Sequence, residues 1–524
     1  MTNNLNLMTI DSFFSSSDPI LDLEMVSLID SFSGETVNFR KQNTPVPENG
    51  KYLYRIKINN NSTTSYYRRV VSNSISIKIA DVYGDGLTDD SGEIQRLIDE
   101  MEAGQVLELD NRRYMLYQPL QINKTIKITG SSTKRKDGYP PFLITNNNHG
   151  IVINAYKTLV NGNEVTINAS GTVLEGFGIY NTTLYTTTPN NFTGIKVNGT
   201  SDVHAYDIIL KDLTINGYQT GLEVIALWSS QIQTVKIGNC QVGIHVKENS
   251  VNNEISNNTT ISIDIIIENP ITGEKELIDI PGSKGILFDG DTTQEGWRII
   301  DTLIFNVYQG IYAEKTSHVN VLNSMIDFCR HIGIVIAEKS YNWNINSNYI
   351  ALSHPGYGVY LANNDPNTAP IRGNKIIDND ILIYDHAQPD NISIGINIVG
   401  EGSLYDDVRG NSVKNFKVYD IRAKSGLKTT ITHNKCLSEI NPNIIGNCIT
   451  NDNLGTVYYQ NLNDSLHLGK VRITYADHYP SASSSEWKRG DIILNTSPSV
   501  DAPIGWVNTT DGQNTWKPFG IINN

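Results

Sequence analysis

A four-residue phrase recurs along this chain: glycine, an aliphatic residue, a variable residue, then a second apolar one. It stands at Gly150, Gly194, Gly221, Gly243, Gly285, Gly310, Gly333, Gly358 and Gly395. From Gly194 the spacings are 27, 22, 42, 25, 23, 25 and 37 residues. Within each phrase the first and third residues after glycine are apolar, which is the period of a half-buried strand. Strands returning at a short fixed period mark a solenoid. A period of 22–27 residues fits one coil of a right-handed parallel β-helix. The two longer spacings then read as coils carrying insertions, about 247–284 and 364–393. The fold class expected is all-β.

Residues 1–78 carry no repeat and read as a small β-containing head, with a strand at Tyr52–Ile58. Next, Asp89 or Asp90 can N-cap a helix whose apolar stripe is Ile94, Leu97, Ile98 and Met101. Such a helix covers the open end of the first coil. The solenoid is expected over 79–440, and the phrase stops after Cys436. Residues 441–524 form a third part, a C-terminal β-module with Trp487, Trp506 and Trp516. Those tryptophans either stack on sugar rings or pack a small core; packing is favoured.

The chain has 524 residues and a net charge of −14, which disfavours a nucleic-acid partner. Charged residues make up only 18%, with abundant Asn, Ser and Thr, as on a β-rich extracellular surface. No apolar run is long enough to span a membrane. The N-terminus does not read as a signal peptide. Cys240, Cys329, Cys436 and Cys448 read as reduced core thiols. Zinc spacing, a phosphate-cradling glycine loop, a Gly-x-Ser-x-Gly elbow and a calcium loop are all missing, so no metal or cofactor is expected.

The segment around the helix carries a resemblance. Asp81, Tyr83, Gly84, Asp85, Gly86, Thr88, Asp89 and Asp90 are followed by the helix, Val106–Leu109, Tyr114 and Leu120. This order resembles the opening of pectate-lyase-like β-helices, and the resemblance covers about residues 75–440. That group includes bacteriophage tailspikes that degrade capsular or other surface polysaccharide. It implies a virion tail location, attachment to the baseplate or tail through the N-terminal region, a homotrimer, and action outside the cell at the host surface. Asp89 and Asp90 are structural in that group. The C-terminal part resembles a small β-module at the ends of phage and surface polysaccharide-active proteins.

Alternation places the chemistry. One outward ladder is Lys196, Glu223, His245, Leu287, Tyr312, Val335, Tyr360 and Asn397. A second is Asn198, Ile225, Lys247, Asp289, Glu314, Ala337, Ala362 and Val399. Coils lie about 4.8 Å apart, so Asp289 and Glu314 are expected side by side. Paired carboxylates are what glycoside hydrolysis needs, one acid to protonate the leaving oxygen and one base or nucleophile. His245, Tyr312, Tyr360, Trp297 and Arg298 are the neighbouring substrate-binding candidates, and the turn before Trp297 adds Glu295. A second constellation is Asp327, Arg330 and His331, with Glu338, Trp343, His354 and Tyr357 on following coils. Asp378 and Asp380 form a third group.

The leading expectation is a depolymerase that hydrolyses glycosidic bonds of a bacterial surface polysaccharide. A polysaccharide lyase is the first alternative, using a base such as His245 or Tyr312 with Lys247 or Arg298. A non-catalytic adhesin is the second, and a secreted bacterial pectinase-like enzyme the third.

Overall fold

The computed structural model describes 8–15, 25–29, most of 36–58, most of 64–436 and separate strands between 443 and 521. Within 64–436 the stretches 131–140, 184–188, 269–274, 363–370, 385–392, 400–404 and 424–428 lie outside the description, as do 264 and 279. The chain divides into two compact units, Met1–Leu303 and Ile304–Asn524.

The first unit opens with helix Ile10–Ser15 on a four-stranded antiparallel sheet, ordered Met25–Ile29, Thr36–Gln42, Thr64–Arg69, Tyr54–Ile58. Ile10, Phe13, Val26, Leu28, Val37, Phe39 and Tyr67 form its core. Helix Ser91–Glu100 follows, and its stripe of Ile94, Leu97, Ile98 and Met101 is buried as its period requires. Asp90 holds the N-cap position, yet its carboxylate accepts from the Tyr83 and Gly84 amides (2.6 and 3.1 Å). Asp89 instead accepts from the Ser91 amide (2.9 Å) and the Tyr117 amide (3.1 Å). Both aspartates thus serve the local backbone.

Three parallel sheets then wind the first unit into coils. One coil contributes Ile209–Lys211, Thr214–Asn216 and Thr220–Ile225, one strand to each sheet. Inward columns run in register, as in Ile128, Leu174, Leu210, Ile232, Ile255 and Ile299. The glycine phrases all fall on one of the three sheets, here called the glycine sheet. There Ile151, Ile195, Leu222, Ile244 and Ile286 stack.

The glycine has a steric reason. A Cβ at Gly221 would lie 2.4 Å from Ile237 Cγ2 and 2.9 Å from the Gly243 carbonyl oxygen. Gly194 meets Ile215, and Gly243 meets Ile261, at the same 2.4 Å. Each glycine lets its strand close onto an isoleucine of the following coil.

The second unit repeats the plan. Its glycine sheet contains Gln309–Ala313, Ile332–Ile336, Tyr357–Ala362, Ile394–Val399 and Tyr419–Ala423. One corner is lined by a buried asparagine ladder, Asn348, Asn379, Asn411 and Asn434. The side-chain oxygens of Asn379, Asn411 and Asn434 each accept both the amide N–H and the side-chain N–H of the preceding member, at 2.9–3.0 Å. The unit ends with a five-stranded sheet, Leu466–Leu468 to Trp516–Ile521. Trp506 and Trp516 pack there with Ile493, so these two tryptophans are core residues; Trp487 lies outside the described residues.

Cys240, Cys329 and Cys436 are buried and free, as expected of core thiols; the Cys448 side chain lies outside the description. Burial pushes the Cys240 thiol up to about 12. Among the described residues, no helix is long and apolar enough to cross a membrane.

Candidate functional site

In the first unit the outer side of the glycine sheet carries a polar tract. Lys196, Glu223, His245 and Leu287 are register partners on successive strands, as alternation predicts. Glu223 sits between two ammonium groups, Lys196 at 2.9 Å and Lys247 at 3.1 Å. Its side chain is 12% exposed. Burial alone would raise its pKa, but the two lysines outweigh it and hold the carboxyl below its usual value.

Asp289 stands just beyond strand Lys284–Phe288, and its carboxylate reaches back to His245 Nε2 at 2.6 Å. Burial opposes its ionisation, but the imidazole and nearby lysines prevail and lower the pKa. A lowered pKa suits a base or a charge partner better than a general acid.

Glu223 gives an acid-stability expectation. A folded pKa below the unfolded value of about 4.3 stabilises fully above that pH, and the contribution fades as pH falls through the folded value. Glu223→Gln is therefore expected to lower unfolding free energy by about 1–2 kcal/mol at pH 7 and by progressively less under acid. Urea titrations at pH 7 and in the acid range check this; an equal loss at both would refute the ionic account.

In the second unit the same outer side is aromatic. Tyr308 stacks on His331 (5.1 Å between ring centres), His331 meets Tyr357 edge-on (6.5 Å), and Tyr357 stacks on Tyr360 (4.7 Å). Ile332, Val335 and Ala337 form the apolar floor, with Tyr312, Tyr357 and Tyr360 against it. Positions 332, 335 and 337 share this face, so alternation breaks at Gly333. The residue before each glycine therefore adds an outward column, Gln309, Ile332, Tyr357 and Ile394. Burial lowers the His331 pKa, which keeps the imidazole neutral over a wider pH range. Glu314 follows strand Gln309–Ala313 and accepts from the Tyr312 hydroxyl.

Asp327 lies on a neighbouring sheet of this unit, in strand Met325–Cys329. Its carboxylate accepts from the Tyr384 hydroxyl (2.9 Å), which contacts the Tyr349 hydroxyl (3.2 Å). Asp380 is the register partner of Tyr349 and binds Lys414 at 3.2 Å. Arg330 reaches Asn306 Oδ1 at 3.3 Å.

With this geometry in hand, comparison with known proteins adds the following. No family model matches the chain. A curated relative, a probable glucan endo-1,3-beta-glucosidase of Arthroderma benhamiae, is 39% identical over 56 residues, which is 11% of this chain and 6% of the relative. Among solved structures, the A-module of a mannuronan C-5 epimerase from Azotobacter vinelandii is similar, with TM-score 0.50 and 10% identity over 74% of this chain and 99% of that one. Full-length tailspike protein 2 of an Escherichia coli O157:H7 bacteriophage is similar at TM-score 0.44 and 12% identity, over 87% of this chain and 50% of that one. The fold is a parallel β-helix, shared with the epimerase module. The chain spans half the length of the tailspike and a small part of the curated relative.

Several sequence-based placements need correction. Trp297 is fully buried, its indole Nε1 donating to the Ser250 carbonyl (3.1 Å), so it offers no face to a substrate. Gly296, at φ +69°, turns the chain there and sends the ring into the core. Arg298 falls on a different sheet from His245 and is paired with Glu254 at 2.8 Å. Trp343 is likewise buried, donating to Thr316 Oγ1 (2.9 Å). Glu295 is exposed in the corner strand Gln294–Glu295, off the glycine sheet. Asp289 contacts His245 and Glu314 contacts Tyr312, each a member of the first outward ladder. Tyr312, Val335 and Tyr360, by contrast, are register partners on successive strands, as alternation predicts. Sequence reasoning missed Tyr308, Tyr349 and Tyr384 altogether. Tyr308 directly precedes a strand, Tyr349 opens one and Tyr384 directly follows one, positions that carry no periodic signal.

Proposed function

We propose that this protein is a polysaccharide depolymerase that binds a bacterial surface polysaccharide along the glycine sheet and hydrolyses its glycosidic bonds. The observation that carries this reading is the row Tyr308, His331, Tyr357 and Tyr360. Tyr308, His331 and Tyr357 come from successive coils and Tyr360 from the same strand as Tyr357, and such half-buried rings suit the apolar faces of sugar rings. Glu314 stands on the same side of that sheet and is the carboxylate favoured for protonating the leaving oxygen or activating water. Asp327, Asp289 and Glu295 are the further catalytic candidates, and Arg330 and His331 the polar binding groups. The opening-motif resemblance supports a tailspike reading: a homotrimer on a phage tail, attached through residues 1–78, with the solenoid over 79–440 and a terminal module over 441–524.

The His245–Asp289 contact favours a second reading, elimination. His245 would remove the proton beside a uronate carboxylate, Asp289 would hold the resulting imidazolium, and the leaving oxygen would depart with a proton taken from water as a new carbon–carbon double bond forms.

The test is incubation of the full chain with capsular polysaccharides from a bacterial panel, with products read by mass spectrometry. Fragments carrying one added water per cut support hydrolysis. Fragments short of that water, absorbing in the ultraviolet, replace it with elimination. Binding without cleavage turns the protein into an adhesin. Tyr357→Ala is expected to weaken polymer binding roughly three- to tenfold through loss of one stacking ring. Unchanged affinity in a titration of the variant would remove the aromatic row from the binding surface.

A further inference from the structure

A separate cavity of the first unit, about 600 Å³, lies where the hairpin Ile151–Val160 and Asn163–Asn168 meets a corner leaving the glycine sheet. Its volume falls within the roughly 300–1,000 Å³ range of ligand pockets. Tyr206 and Trp228 are register partners on adjacent coils, which sets their rings one coil apart. The Tyr206 side is open to solvent, at 48% exposure. Trp228 is held rigidly: its Nε1 donates to the Asn249 carbonyl (2.8 Å) and the His204 ring lies over it at 4.2 Å. The Asn249 side-chain amide also contacts His204 Nε2 (3.2 Å), so one asparagine fixes both rings. Polar groups surround the rings, namely Asp202, Asp207, Ser229 and Thr166. Lys157, at the rim, is already paired with Glu164 at 3.0 Å.

We propose that this cavity is a second, non-catalytic carbohydrate site that takes a neutral pyranose ring. Pre-fixed aromatic faces supply the stacking surface without an ordering cost on binding. The two carboxylates and the hydroxyls accept and donate to ring hydroxyls. With its one rim ammonium engaged by Glu164, the cavity presents net negative charge and rejects acidic sugars. The site is distinct from the aromatic row of the second unit and has a readout that needs no polymer cleavage.

The experiment is fluorine NMR on the full chain labelled with fluorotryptophan, with the Trp228 resonance assigned by its absence in Trp228→Phe. Glucose, galactose, mannose, rhamnose, N-acetylglucosamine and galacturonic acid are titrated one at a time. The Trp228 resonance is expected to move with at least one neutral sugar and to stay in place with galacturonic acid. Tyr206→Ala is expected to weaken that response roughly three- to tenfold. The Tyr206 ring is exposed, so the variant keeps its core. Asp202→Asn is a second variant, expected to relax the exclusion of galacturonic acid. A Trp228 resonance that no neutral sugar moves, or one that moves equally in Tyr206→Ala, overturns the site. Polymer cleavage is measured separately, so failure of the depolymerase reading would leave this result standing, and the reverse.

Discussion

Asn379→Ala is expected to destabilise the second unit by about 3–5 kcal/mol, the largest single effect anticipated outside the catalytic face. The Asn379 oxygen accepts both the amide and the side-chain N–H of Asn348, at 2.9 and 3.0 Å. Its own side-chain nitrogen donates to the Ile345 carbonyl (3.0 Å) and to Asn411 Oδ1 (2.9 Å). Alanine leaves two buried donors and one buried carbonyl short of a partner, each costing about 1–3 kcal/mol, less whatever relaxation recovers. Asn344→Ala is the control. Its single side-chain bond to Asn320 (3.2 Å) lies on the outer surface, and its loss is expected to cost well under about 1 kcal/mol. Urea denaturation of both variants, monitored by tryptophan fluorescence, decides the matter. Equal midpoints would mean that the ladder contributes geometry and no stability.

Glu314→Gln is expected to lower the cleavage rate by about two to four orders of magnitude while leaving polymer affinity within about twofold. The amide keeps the size of the carboxylate and can still accept from the Tyr312 hydroxyl, so the local fold is retained. It can neither deliver nor take a proton. Tyr357→Ala should behave oppositely, raising KM with little change in kcat. A Glu314→Gln variant of full activity beside an inactive His245→Gln would shift the chemistry to the His245–Asp289 pair and make elimination the working reading.

The solenoid was legible because one strand per coil is marked by glycine and alternates cleanly after it. That alternation gave the columns Lys196, Glu223, His245 and Leu287, and Tyr312, Val335, Tyr360 and Asn397, with the register found in the structure. The column before glycine was not legible, since period two fails where the strand closes onto the neighbouring coil; Tyr357 was therefore noticed without its place. Trp297 misled because an aromatic beside a charged turn reads as surface, whereas a turn at Gly296 carries it inward. The asparagine ladder stayed hidden for the reverse reason. Asparagine reads as a turn residue, and nothing local tells a solvated turn from one stacked inside. Site chemistry was half legible. Residue types and faces could be read, but hydrogen-bond partners such as Tyr384 with Asp327 come from segments 57 positions apart.

The glycine that closes onto the next coil's isoleucine also makes the number of coils in the first unit an adjustable property. Gly194 with Ile215, Gly221 with Ile237 and Gly243 with Ile261 are interchangeable joints. Excising residues 222–243 would join Gly221 to Ile244 and offer it Ile261 in place of Ile237, removing one strand from each sheet without disturbing the phase of those that remain. A gene encoding such a chain can shorten or extend by whole turns, so reach and binding surface can change across descendants while every surviving joint keeps its fit.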